Sequence, residues 1–191
     1  MIKFIDLAAV GGKVFTRGMI AEFDAPVEAA LINEGDAISF PAVTKPVENL
    51  SSSAVAVSCT STAVDETLAI FTIMPGIIGV NSILQIEPLW TFTSSVNNSI
   101  LRVKVGGSLV YTATRTTTVK EAPLIVLANR NSLSAQIQPY DNNYVTAGSG
   151  TPATYTINFA SAVDVEITGQ RANAGDTLKL EYYRVLHFVG A

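Results

Sequence analysis

An alternation of apolar and polar residues over positions 83–93 is the feature that most restricts the fold of this chain. The side predicted to be buried carries four large apolar residues: Leu84, Ile86, Trp90 and Phe92. The residues between them are mainly Gln, Glu and Thr. A period of two with one apolar side is typical of a strand that buries one face. The pattern therefore predicts a half-buried strand in an antiparallel sheet.

The rest of residues 54–191 continues this rhythm, with turn residues between successive apolar stretches. Residues 94–98 form one predicted turn, and Gly106-Gly107 permits a tight hairpin. The predicted strands are 55–60, 66–74, 83–93, 99–105, 108–115, 123–129, 133–138, 154–160, 163–168 and 176–189. Short strands at a spacing of about ten residues predict a mainly β domain, an antiparallel β-sandwich that is jelly-roll-like.

Residues 1–40 are predicted to form a separate small ββαβ module. Its two strands flank Gly11-Gly12, and its helix begins at Asp24 and is ended by Gly35. A unit of this size is at the lower limit for independent folding, so we expect it to anchor the chain on something else. Residues 41–53, with two prolines and three serines, are predicted to be a linker to the sandwich at 54–191.

The closing strand, residues 176–189, is predicted to be apolar on both faces. Strict alternation places one set of residues together: Leu178, Leu180, Tyr182, Leu186 and Phe188. The opposite set is Tyr183, Val185, His187 and Val189. A strand that is apolar on both sides needs cover on both sides. We expect the first set to meet the core and the second set to meet another subunit.

Composition argues against nucleic-acid binding and against catalysis. The 191 residues include 12 basic and 16 acidic ones, a net charge of −4, with no basic run of the kind that binds nucleic acid. A single Cys59 and a single His187 cannot by themselves form a zinc site, and no catalytic triad is recognisable around His187. We therefore expect no catalytic residues, no cofactor and no metal. Cys59 is predicted to be a small core residue.

One uncharged stretch, residues 67–86, is apolar and long enough to cross a membrane. Pro75 and Gly76 interrupt it, so it is predicted to be two strands around a turn and no membrane insertion is expected. Asp6 interrupts the first apolar run, so no secretory signal is recognisable. The chain is expected to be made in the cytoplasm of its host cell.

One loop has the composition of a binding site. Between Pro139 and Pro152 it contains Tyr140, Asp141, Asn142, Asn143 and Tyr144. Tyrosine and asparagine recognise sugars or protein surfaces at a low entropic cost, so these five residues are the predicted partner-binding site. The alternative is a polar surface loop without a ligand.

Two parts of the chain resemble tailed-bacteriophage virion proteins. Residues 71–111 (FTIMPGIIGVNSILQIEPLWTFTSSVNNSILRVKVGGSLVY) and 167–185 (ITGQRANAGDTLKLEYYRV) are similar to a β-sandwich domain of such proteins in their Pro-Gly entry, basic-Val-basic strand and Gly-Gly turn. Residues 11–38 (GGKVFTRGMIAEFDAPVEAALINEGDAI) resemble small units of the phage head region. The resemblance carries over no catalytic position.

The resemblance implies a non-enzymatic structural protein of the virion. In this interpretation it is a capsid decoration, or head-fibre, protein whose first module binds the major capsid protein or other virion proteins, and whose sandwich forms a homotrimer. The alternative is a tail-fibre or baseplate protein that recognises a host surface glycan or protein through residues 140–144. An enzyme such as a glycan hydrolase is a third hypothesis, for which the sequence shows no site.

Overall fold

The computed structural model divides the chain into two compact units, Met1–Thr44 and Lys45–Ala191. In the first unit it describes the backbone of residues 2–4, 8–10, 13–15, 20–21 and 37–39. In the second unit it describes residues 47–138 and 151–190 with their side chains.

The described residues of the first unit form short antiparallel strands. They are β1 Ile2–Phe4, β2 Ala8–Val10, β3 Lys13–Phe15, β4 Ile20–Ala21 and β5 Ala37–Ser39. Strand β1 lies between β4 and β5, and β2 pairs with β3. The helix predicted from Asp24 to Gly35 lies outside the described residues, so the ββαβ arrangement stays a prediction.

The described part of the second unit consists of strands and connections, without a helix. Its strands are β6 Val47–Ser53, β7 Val57–Ser58, β8 Glu66–Ile73, β9 Ile83–Phe92, β10 Ser99–Val105, β11 Ser108–Arg115, β12 Lys120–Glu121, β13 Ile125–Asn129, β14 Gln136–Gln138, β15 Ala153–Tyr155, β16 Val163–Arg171 and β17 Leu178–Phe188. Every pairing between them is antiparallel. The mainly β, antiparallel character predicted from the alternation is confirmed.

The strands of the second unit form two sheets that share one core. The large sheet has the strand order β15-β14-β13-β9-β17-β6, and the short strands β12 and β7 pair with β9 and β17. The small sheet has the order β11-β10-β16-β8. Trp90 of the large sheet is fully buried and stacks on Tyr111 of the small sheet, with 6.2 Å between the ring centroids. Because the buried residues of both sheets form a single cluster, the unit is a β-sandwich.

The predicted linker is wrong over its second half. Val47–Ser53 is the edge strand of the large sheet and pairs with the closing strand from Ser53 opposite Tyr183 to Val47 opposite Phe188. The sequence VENLSSS has little apolar periodicity, because an edge strand is held mainly by backbone hydrogen bonds to its neighbour. The second unit therefore includes residues that the sequence assigned to a connection.

A bulge in β17 reverses the predicted faces of the closing strand. Leu180 pairs with Trp90 and Tyr182 pairs with Leu89, so Glu181 is an extra residue between two consecutive pairs. Side chains alternate along a strand, and one extra residue moves all later side chains to the opposite face. Beyond Glu181, the odd-numbered residues therefore point inward.

The burial of the closing strand follows this reversed pattern. Val185 and His187 have exposed fractions of 0% and 2%, so neither has surface to contribute to a subunit contact. The prediction that these two residues meet another subunit is wrong, because it assumed unbroken alternation. Leu186 and Phe188, predicted to meet the core, are instead only partly buried and point to the outer side of the large sheet.

Candidate functional site

A row of mostly apolar side chains crosses the outer side of the large sheet. Residues that pair directly across antiparallel strands share one side of the sheet. Followed through the strand pairs, the row consists of Val47, Phe188, Ile83, Ala128, Ile137 and Thr154. None of the six is buried, and Val47 is 41% exposed. We call this set the apolar row.

Three further rows lie on the same side of the sheet, beyond the apolar row towards the C-terminal end of β9. Leu186 is paired with Gln85, and Gln85 with Val126, so that one polar amide lies between two half-buried apolar side chains. The row beyond contains an ion pair in which Arg184 Nε donates to Glu87 Oε2 at 2.9 Å. We call the apolar row together with these residues and the next pair, Tyr182 and Leu89, the outer face of the large sheet.

The outer side of the small sheet has a different chemical character. Lys104 Nζ lies 3.4 Å from Glu166 Oε2 and 3.5 Å from Asp65 Oδ2, and Arg102 forms an ion pair with the same Asp65. Ile70 and Leu109, which are 57% and 44% exposed, lie at the two ends of one row on this side, and the charged pair Glu166 and Lys104 separates them. One side of the sandwich is therefore suited to water, while the other presents neighbouring apolar side chains of the kind that mark interaction sites.

An open cleft lies at the end of the outer face that carries Tyr182 and Arg184. It has a volume of about 470 Å³ and is lined by Ser52, Ser53, Ala54, Glu87, Tyr182, Tyr183 and Arg184. The Tyr183 hydroxyl lies 3.1 Å from Ser51 Oγ, while Tyr182 is 42% exposed. Tyrosine rings beside an ion pair can contact the apolar and hydroxyl parts of a sugar or the surface of a protein.

The tertiary structure also brings together a serine, the histidine and a glutamate from distant parts of the chain. His187 Nε2 lies 2.9 Å from Ser82 Oγ, and His187 Nδ1 lies 3.3 Å from Glu48 Oε2. This is the order of groups in a Ser-His-acid catalytic triad. Sequence reasoning missed it because Glu48 was assigned to the linker and Ser82 to a turn, with no signal that either meets His187.

The surroundings of Ser82 indicate a structural role. Ser82 is 1% exposed, and its hydroxyl oxygen already accepts backbone N–H groups from Gly79 at 3.0 Å and Gly190 at 3.3 Å. A nucleophilic serine needs space for a substrate carbonyl beside its oxygen. Here the C-terminal segment occupies that space, since a Cβ on Gly190 would lie 2.3 Å from the backbone carbon of Asn81. The three residues tie the end of β17 to the start of β9.

A second polar cluster closes the opposite end of the sandwich. Arg115 Nε donates to Glu121 Oε2 at 2.6 Å, and the Tyr111 hydroxyl donates to the same carboxylate. Burial pushes the pKa of Glu121 upward, but the hydrogen bonds from Arg115 and Tyr111 outweigh it and leave the pKa below the ordinary value. The carboxylate is thus held ionised by its partners, as expected of a stabilising ion pair.

Cys59 lies in the core, as its sequence context predicted. It is 3% exposed, and burial together with the neighbouring Glu66 raises its pKa to about 11. The thiolate is the reactive form of cysteine, so a thiol with this pKa is a poor nucleophile. Within residues 47–138 and 151–190, no three side chains of the His, Cys, Asp and Glu types are grouped closely enough to bind a metal ion.

Apart from the buried Val185 and His187, the predicted site residues fall into two groups. Tyr140, Asp141, Asn142, Asn143 and Tyr144 lie outside the described residues, so their role in partner binding stays a prediction. Tyr183 is half-buried at the cleft, and Val189 is 41% exposed beyond the end of β17, so their contact with another subunit also stays a prediction. The described residues contain no helix long and apolar enough to span a membrane.

Comparison with known proteins gives only distant similarity. No protein-family model matches the chain, and no curated protein matches it. Among solved structures, the chain is similar to the infectious bursal disease virus Gx strain structure (14% identity, TM-score 0.25, covering 76% of this chain and 41% of that one). A T13 particle of the same virus gives 13% identity and a TM-score of 0.27, with 78% and 37% covered. The chain thus spans less than half of those proteins, and TM-scores of this size carry no conclusion about it.

Proposed function

We propose that this protein is a non-enzymatic structural component of a virus particle, acting as a capsid decoration or head-fibre protein. The observation that carries this proposal is the contrast between the two sides of the sandwich. The small sheet presents charges to solvent, whereas the outer face of the large sheet presents the apolar row. A domain with one such face is incomplete alone and suits a protein that acts within an assembly.

The strand order of the second unit supports the same proposal. Numbering β6, β8, β9, β10, β11, β13, β16 and β17 from one to eight gives the order 1-8-3-6 in the large sheet and 2-7-4-5 in the small sheet. This is the order of an eight-stranded jelly roll, with β14 and β15 added at one edge. Jelly rolls are frequent in viral capsid proteins and also in lectins. We infer that the second unit is a jelly roll.

In the proposed arrangement, the first unit docks on the shell formed by the major capsid protein, and the jelly rolls of three copies project from it. The support for docking is the resemblance of residues 11–38 to phage head units. Burial of apolar surface between neighbouring capsid subunits stabilises a shell by about 25 cal/mol per Å². Repeated copies on one shell strengthen each attachment through avidity.

The proposal is tested by sedimentation with capsids that lack this protein. The full chain is compared with a variant that lacks residues 1–44 and therefore keeps β6 in the large sheet. We expect the full chain to pellet with the capsids and the variant to stay in the supernatant, with circular dichroism verifying that the variant retains its sheet. Co-sedimentation of the variant would contradict docking through the first unit. Absence of the full chain from purified particles would contradict a virion role.

A tail-fibre or baseplate receptor-binding protein is the second candidate. The observation that favours it is the cleft with Tyr182, Tyr183 and Arg184, since jelly rolls also serve as lectins. Residues 140–144 are the other proposed contact with a host glycan or protein. Glycan-array and host-cell binding of the full chain distinguish the candidates: saturable binding that is lost in Tyr144→Ala or Tyr182→Ala would favour receptor recognition over decoration.

A further inference from the structure

We infer that the outer face of the large sheet binds a second copy of this chain. The inference deepens the proposed structural role and rests on it in one respect, that the protein acts within an assembly. The residues that would make the contact are those of the apolar row, with Leu186, Val126 and the Glu87–Arg184 ion pair. The subunit contact predicted from the sequence involved the opposite side of β17, which the bulge at Glu181 places inside the core.

The size of the outer face fits a small contact between copies. The apolar row has six residues, and the three rows beyond it have three, two and two. At about 4.8 Å between strands and about 6.6 Å between rows, these positions cover roughly 400 Å². Two such faces would bury roughly 800 Å², which is the size of a weak interface between proteins.

The charges on the outer face favour a second copy over a partner of one charge sign. Arg184 and Glu87 lie side by side in adjacent strands, and Gln85 donates to the same Glu87. A second copy offers one acid and one base to this pair, so every charge retains an opposite partner after water is excluded. An acidic or a basic partner surface would leave one of the two charges unpaired, at a cost in binding.

The outer side of the small sheet is less suited than the outer face of the large sheet to binding a second copy. It carries the acids Asp65, Asp164 and Glu166 against the bases Arg102 and Lys104, so a second copy would face an excess of like charge. Covering it would remove hydration from three ion contacts among these groups, and the Coulomb energy of such pairs rarely exceeds that loss. The outer face of the large sheet carries a single ion pair beside the apolar row, so covering it removes less hydration.

The experiment measures the mass of the full chain by sedimentation equilibrium over a range of concentrations. Because the same face of both copies makes the contact, wild type is expected at twice 20.2 kDa, or at six times 20.2 kDa where the proposed trimer also forms. Phe188→Glu puts a charge in the apolar row and is expected to raise the dissociation constant at least a hundredfold. Ile70→Glu is the matched control, because it makes the same kind of change on the outer side of the small sheet and should leave the mass unchanged.

A charge exchange keeps the test valid if Phe188→Glu does not fold. Arg184→Glu gives two copies that meet through acids alone and is expected to weaken self-association at least tenfold. The double variant Glu87→Arg with Arg184→Glu restores one acid and one base on every copy, so its mass should return to the wild-type value. Trp90 fluorescence, from a buried ring in the core, reports whether each variant is folded.

The results separate this inference from the proposed function. A wild-type chain that is monomeric at about 0.1 mM, or a folded Phe188→Glu that keeps the wild-type mass, overturns the inference whether or not the chain binds capsids. An oligomer that dissociates in Phe188→Glu and is not found in purified particles supports the inference and overturns the virion role. Dissociation by Ile70→Glu as well would show that another surface makes the contact.

Discussion

Replacing Val185 or Leu186 by alanine tests which side of the closing strand is buried. Strict alternation places Leu186 in the core, whereas the bulge at Glu181 places Val185 there instead. In the structure Val185 is 0% exposed, and Leu186 is partly exposed on the outer face of the large sheet. The two positions are adjacent in one strand, so they share local strand propensity and differ mainly in burial.

The expected magnitudes follow from that burial. Val185→Ala removes two buried methyl groups, each worth about 0.8 kcal/mol in transfer from water, and the cavity left behind adds about 1 kcal/mol. The free energy of unfolding should therefore fall by about 2.5 kcal/mol, a large part of the 5–15 kcal/mol typical of a domain. Leu186→Ala removes three carbon atoms from a site that is mostly but not fully buried, and it opens no enclosed cavity, so its cost to the isolated monomer should be about 1.5 kcal/mol.

Urea unfolding followed by Trp90 fluorescence measures both changes. The experiment is carried out at several protein concentrations, because a loss of self-association would add a concentration-dependent cost to Leu186→Ala only. At the lowest concentration, Val185→Ala should be clearly the less stable variant. An equal or greater loss in Leu186→Ala under those conditions would refute the reversed faces of β17, and with them the outer face as defined here.

Three further predictions concern the polar groups of the sandwich. Ser82→Ala should lower the free energy of unfolding by about 2–3 kcal/mol, because His187 and two backbone N–H groups lose a buried partner; Thr112→Ala, an exposed side chain of the small sheet, is the control, and equal effects in urea unfolding would contradict the structural role of Ser82. The lowered pKa of Glu121 means that its contribution is present above the ordinary glutamate value of 4.5 and is lost as pH falls through the folded-state pKa. Stability curves of wild type and Glu121→Gln should therefore approach each other as the pH falls below 4.5 and meet below the folded-state pKa, and parallel curves would contradict the ion pair with Arg115. Cys59, with a pKa of about 11 and 3% exposure, should resist a thiol reagent at pH 8 in the native protein and react promptly in urea; rapid native labelling would show that the core opens at this site.

Local pattern predicted much of the second unit. The strands Ser99–Val105 and Ser108–Arg115 have the predicted bounds, because both have alternating faces and are separated by Gly106-Gly107. Those two glycines have φ angles of 56° and 75°, a conformation that glycine adopts without a steric penalty. Alternation and turn chemistry are properties of neighbouring residues, so they can be read from sequence directly.

Features that depend on a distant partner could not be predicted in this way. Strand Val47–Ser53 is recognisable only beside β17, and the Glu48–His187–Ser82 cluster forms only when β6, β17 and the start of β9 are adjacent. The buried amide of Gln136 is another case, since it satisfies both the N–H and the C=O of Ile157, which lies 21 residues further along the chain. None of these contacts leaves a periodic signal in the chain.

The sequence by itself determined that the second unit is an antiparallel β domain with a large apolar core, because side-chain periodicity and turn residues are local. Only the tertiary structure decided which side of the closing strand is inside. One extra residue at Glu181 reverses the facing of Val185, Leu186, His187 and Phe188, and a bulge is defined by the register against a neighbouring strand. The surface left for a partner follows from that register, not from the alternation alone.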